Sequence, residues 1–207
     1  MKARTLKILV TGFEPFGGEE INPTALLVEA LGVGELKVPA GVDVRGLVIP
    51  VVFGEGFAKL QDSLRTFRPD VVLALGQAGG RSAFEFERVA VNLIDGDQAD
   101  NAGVSHCDQV IDSTSGSALF STLPIRALAE KLTTAGVPAR ISNSAGLFVC
   151  NEVFFRLQAT LLRTAVRSGF VHVPYLPAQA AKKEAPSMEL GEMKRGLELI
   201  LEHFAEP

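Results

Sequence analysis

The chain has 207 residues, 47% of them apolar, and a formal net charge of −4. That composition excludes an intrinsically disordered chain and suits one packed core, so residues 1–207 are expected to form a single domain. The 20 basic residues form no stripe, Cys107 and Cys150 form neither a disulfide framework nor a metal-ligand pattern, and no stretch approaches the roughly 18 apolar residues of a membrane span, which argues against a nucleic-acid binder, a metal centre and a membrane protein.

The basic start is followed by only three consecutive apolar residues, 8–10, too few for a secretory core. The expected compartment is therefore the reducing cytoplasm, where unpaired thiols persist. Residues 6–10 predict a first, mostly buried strand in which Lys7 needs a route to solvent. The turn TGFEPFGG ends it, and Asn22 with Pro23 marks the start of a short helix towards residue 31. Residues 42–49 predict a strand. Phe57, Leu60, Leu64 and Phe67 form a helical stripe, and 71–75 is a continuous apolar strand running into GQAGG.

FEFERVAV, at 84–91, reads as an extended segment or hairpin. Residues 92–118 are polar and turn-rich, and are expected to be an irregular lid, an interface loop or a mobile segment. Helix is expected at 124–135 and a short strand follows to 142. Val149, Val153, Leu157 and Leu161 then share one face of a longer helix. A short strand at 170–173 and an amphipathic helix at 188–203 complete the chain. Strands separated by crossover-length helices imply a three-layer α/β/α sandwich around a mostly parallel or mixed sheet.

Sites in such sheets form where strand ends meet helix starts. Three junctions qualify: TGFEPFGG, GQAGG and NSAGLFVCN. Cys150 falls in the first turns of a helix, where unpaired amides and the dipole are expected to lower its pKa and offer an oxyanion site. His172 lies 22 positions later in VHVPY, flanked by valines that point to the other face. A thiol and an imidazole brought together usually need a third group to orient the ring. Glu87 is the best candidate. Glu85 shares its face, and periodicity does not separate them. Each residue also has a plainer reading: a core thiol, a satisfied core histidine, and acids paired with arginine. Phe13 and Phe16 sit on a turn at a strand end and suit the walls of a small, flat pocket. The glycine turns match neither GxGxxG nor a P-loop, so a nucleoside-binding or phosphorolytic reading rests on fold analogy alone.

Together these segments resemble the pyroglutamyl peptidase I (pyrrolidone carboxyl peptidase) family. The resemblance is carried by KILVTGFEPFGGEEINPT, GQAGGRSAFEFERVAVNLID, SNSAGLFVCNEVFF and GFVHVPYLPAQ, in order and over nearly the whole chain. It implies a cysteine hydrolase, a thiol protease removing N-terminal pyroglutamate from small peptides. Cys150 would be its nucleophile, His172 its base and Glu87, rather than Glu85, its orienting acid. Phe13, Phe16 and Gln77 would hold the lactam ring. It further implies no cofactor, metal, nucleic-acid or membrane partner, and a homo-oligomer, the family including homotetramers.

The chain departs from the family pattern at three places. Where members commonly read DARIPDN, residues 95–101 read DGDQADN, so Asp97 stands where an arginine near the oxyanion is expected. Cys107 is an additional thiol, expected to be a bystander. Glu152 replaces a common aromatic or histidine and is expected on the helix surface. These departures keep two alternatives open: a cysteine amidase acting on another small amide or lactam, and a non-catalytic binding protein on the same scaffold.

Overall fold

A computed structural model describes residues 4–206. The basic start at Lys2 lies outside the described residues. The elements in chain order are β1 (Leu6–Phe13), α1 (Pro23–Gly32), β2 (Val42–Ile49), α2 (Glu55–Phe67), β3 (Val71–Gln77), β4 (Phe84–Glu87), β5 (Val89–Val91), β6 (Ile94–Gly96), β7 (His106–Gln109), β8 (Ala118–Phe120), α3 (Ile125–Thr134), β9 (Ala139–Ser142), α4 (Val149–Leu161), β10 (Arg167–Val173), α5 (Pro177–Ala180) and α6 (Leu190–Ala205).

The six-stranded sheet has the order β2-β1-β3-β10-β4-β9. β2, β1, β3 and β10 run parallel, β4 is antiparallel to β10, and β9 is parallel to β4. The central strands are buried on both faces, so their alternation sorts apolar side chains between two cores rather than between core and water. Ile8, Val10, Leu73, Leu75, Val171 and Val173 pack under α1, α3 and α6. Leu9, Val72, Ala74 and Phe170 pack under α2 and α4. The result is the three-layer α/β/α sandwich with a mixed sheet. Among the described residues, no helix is long and apolar enough to cross a membrane.

Local signals explain most element boundaries. The Asn22 side chain accepts the Thr24 amide at 3.0 Å and caps α1, with Pro23 at its first position. Lys7 finds its route out by running along the Phe67 ring to donate to the Phe67 carbonyl at 3.3 Å.

The 92–118 segment is less irregular than its sequence reads. β6 and β7 pair antiparallel within it, and β8 pairs with β5 at its end. It shows no clear alternation because side-chain-to-backbone bonds, rather than burial of one face, hold it. Asp100 accepts the amides of Phe53, Ala102 and Val104, each at 2.9 Å. Asn92 accepts the Asp112 amide at 2.9 Å, and Asn101 donates to Glu14 at 2.8 Å, tying the segment to the turn after β1.

Candidate active site

The carboxyl ends of β3 and β10, the turn after β1 and the start of α4 meet around a cavity of about 400 Å³. Phe16, Gln77, Arg81, Phe148, Cys150 and His172 are among the residues lining it.

His172 is 3% exposed on β10, in register with Gly76 on one side and Glu85 on the other. Gly76 makes room for it: a Cβ there would stand 3.1 Å from His172 Cδ2 and 2.7 Å from the Phe170 ring. On the far side, His172 Nδ1 lies 2.7 Å from Glu87 Oε1. A carboxylate only accepts, so Nδ1 carries the proton and Nε2 is left as the basic nitrogen.

Glu85, although directly opposite His172 in the ladder, turns to Arg81 and to Arg140, whose Nε donates to it at 2.7 Å. Arg140 is its neighbour on the edge strand β9. Arg81 touches both acids, and it is Arg140, bonded to Glu85 and not to Glu87, that separates the two that period two leaves equivalent.

Cys150 is the second residue of α4 and half-buried. Burial, with the Glu87 charge second, pushes its thiol up to about 12, against the pull of Arg81 and its own amide. The sequence-based expectation of a lowered pKa from the helix start is therefore corrected: desolvation outweighs the helix terminus. No side chain caps α4 at Phe148 among the described residues, so amides of its first turn are left without a side-chain acceptor.

Asn151, fully buried, accepts the Val91 amide at 3.0 Å and donates to the Val91 and Leu93 carbonyls at 2.9 Å. These bonds fix α4 against β5. Glu152 is 1% exposed, not on the surface as its sequence position suggested. It accepts the Gly54 amide at 3.1 Å, capping α2 from outside, and pairs with Arg156 at 2.6 Å.

Phe16 lines the cavity with its centroid 6.1 Å from that of Phe148. Phe13 lies a layer beneath, 1% exposed and 6.2 Å from Phe170, which in turn stands 4.9 Å from the His172 ring. Gln77 is 5% exposed, and its Oε1 accepts from Gln179 of α5 at 2.9 Å, which leaves Nε2 as its available donor. Asp97 is exposed and away from the lining, whereas its neighbour Gln98 is on it. Sequence reasoning passed over Arg81, Phe148, Asn151 and Gln179. All four lie inside segments that carry the family resemblance, Gln179 as the last residue of GFVHVPYLPAQ, but α5 is too short to leave a periodic signal.

The pyroglutamyl peptidase family profile matches residues 6–206. The chain belongs to this family. It is similar to the pyrrolidone-carboxylate peptidase of Vibrio vulnificus, at 45% identity over 195 residues covering 94% of this chain and 91% of that protein. Its similarity to the Fusobacterium nucleatum pyrrolidone-carboxylate peptidase is 41% over 203 residues, covering 95% and 91%. Among solved structures it resembles pyroglutamyl peptidase I of Bacillus amyloliquefaciens, with TM-score 0.88, 36% identity and 94% of each chain covered. It also resembles the pyrrolidone carboxyl peptidase of Fervidobacterium islandicum, with TM-score 0.90, 35% identity and coverage of 97% and 98%.

Proposed function

We propose that the chain is a cysteine peptidase that hydrolyses the bond after an N-terminal pyroglutamyl residue, with Cys150 as nucleophile, His172 as base and Glu87 as the acid that orients it. The observation that carries these roles is the 2.7 Å pair of His172 Nδ1 and Glu87 Oε1 in the cavity that also holds Cys150. Family membership supplies the reaction class.

Burial pushes the Cys150 thiol up, so loss of its proton depends on a base in the cavity. His172 Nε2 takes it as the sulfur adds to the scissile carbonyl. Glu87 steadies the resulting imidazolium. Backbone amides at the start of α4 receive the oxyanion. Collapse of the tetrahedral intermediate expels the peptide amine, protonated by His172, and leaves a thioester. Water, deprotonated by His172, then releases pyroglutamate and restores the thiol.

The lactam is neutral and flat. Phe16 and Phe148 bracket it, and Gln77 Nε2 donates to its carbonyl. Phe13 acts from beneath through Phe170. A site made for a neutral lactam rejects an ordinary charged N-terminus, because an ammonium without a partner is costly to desolvate. Asp97 is exposed and outside the cavity lining, which supports an oxyanion site free of its charge. Cytoplasmic residence and assembly into a homo-oligomer belong to the same proposal and rest on the resemblance.

A second reading, an amidase for a different small lactam, is favoured by Gln98, which puts an amide on the cavity wall where the family pattern has isoleucine. Hydrolysis of a pyroglutamyl amide reporter, beside prolyl and six-membered lactam analogues, separates the two. Preference for the pyroglutamyl reporter is expected. Folded protein that turns over only another lactam would replace this proposal with the second reading.

A further inference from the structure

We propose that Arg81 is a positioning residue that sets the charge balance of the site, holding the Glu87 carboxylate beneath His172 and bringing a positive charge to the cavity beside Cys150. The inference rests on the functional reading above.

Glu85 and Glu87 are both buried on one face of β4. Two carboxylates so placed repel each other unless cations stand between them. Arg81 does so: Nη1 donates to Glu87 Oε1 at 2.9 Å and also to Glu85 Oε2, while Nη2 donates to the Ser144 carbonyl at 3.2 Å. Arg140 takes the other Glu85 oxygen. Glu87 Oε1 is thus shared by Arg81 and His172. Glu87 Oε2 is buried and, among the described residues, accepts no hydrogen bond. A carboxylate this sparsely held depends on Arg81 for its position.

Arg81 also lines the cavity. The other charged groups there, Glu19 and Lys183, pair with each other. With Asp97 exposed at the position where the family pattern has arginine, Arg81 is the guanidinium that the cavity retains. The groups facing His172 and Cys150 are therefore Glu85 and Glu87 from β4, Arg81 from the turn before it and, through Glu85, Arg140 from β9, with Glu19, Lys183 and Tyr175 at the rim.

The signs follow from charge. Removing Arg81 stabilises the imidazolium and destabilises the thiolate, so both limbs of the pH profile move up. Removing the Glu85 charge does the reverse. Because the groups titrate together, the limbs belong to the site as a whole.

The test is kcat/KM against pH on the pyroglutamyl reporter, with the Cys150 alkylation rate by iodoacetamide against pH as a readout independent of turnover. Arg81→Gln is expected to raise both limbs by about 0.5 to 1 pH unit and to lower kcat/KM about 10- to 100-fold. Glu85→Gln is expected to lower both limbs, and Arg81→Lys to bring them back towards wild type. If Arg81→Gln fails to fold, the direction of the Glu85→Gln shift decides. Limbs that stay put, or move the same way in both variants, would overturn the inference. Absence of turnover by folded wild type would instead refute the functional reading, and the alkylation profiles would still judge Arg81.

Discussion

The two thiols of this chain lie in regions built on opposite principles. Cys107 is exposed on the β6–β7 pair, and its thiol is raised by the charges of Asp108 and Asp95 around it. Cys150 starts α4 at the edge of the core, and its thiol is raised by burial and by Glu87. Both thiols are raised above their ordinary range. What distinguishes them is the imidazole that shares Cys150's cavity, oriented by a buried carboxylate. On the proposed reading, the nucleophile is defined by its base rather than by its own acidity.

The comparison is most sharply tested by exchanging sulfur for oxygen. Cys150→Ser is expected to lower kcat/KM by at least about 10³-fold, while Cys107→Ser leaves it within about twofold, both read on the reporter under reducing conditions. Glu87→Gln comes next, with an expected loss of about 10²- to 10⁴-fold, because the neutral amide neither fixes the tautomer nor steadies the imidazolium. The same substitution is expected to leave alkylation of Cys107 unchanged, which peptide mapping resolves. Asp108→Asn is expected to quicken alkylation of Cys107 by about twofold without altering hydrolysis.

The smallest effect is the response of the Cys107 region to acid. Hydrogen bonds from Ser115 and then Thr114 hold the Asp112 carboxyl down at about 2. Burial alone would raise Asp100, but the amides of Val104, Phe53 and Ala102 outweigh it and hold it below the usual carboxylate range. A folded pKa below the unfolded value gives stability that is present above about pH 4 and lost as pH falls through the folded value. Hydrogen exchange at the Thr114 and Val104 amides is therefore expected to quicken between about pH 4 and pH 2 before the β3 and β10 amides respond. Simultaneous loss of protection would show that the 92–118 segment has no separate acid sensitivity.

The same contrast explains how much was legible in sequence. Elements with one apolar period were readable: 42–49 forms β2, and the Phe57, Leu60, Phe67 stripe forms α2. The 92–118 segment was not, because Asp100 and Asp112 bind backbone amides two residues on and Asn92 reaches across the segment to the Asp112 amide, which leaves no periodic trace. In the site, the residue types and junctions were visible. The division of labour between Glu85 and Glu87 needed the cross-strand position of Arg140, and the displacement of Phe13 from the cavity wall needed the packing of Phe170. Glu152 read as a surface acid because its partner, the Gly54 amide, is 98 residues away.

The most direct test of the account is covalent labelling with a pyroglutamyl chloromethyl ketone at neutral pH, followed by peptide mapping. A single modification on Cys150, with activity lost in proportion and Cys107 unlabelled, is the predicted result. Labelling of Cys107 at a comparable rate, or inactivation without modification of Cys150, would contradict the claim that His172 and its cavity make the nucleophile.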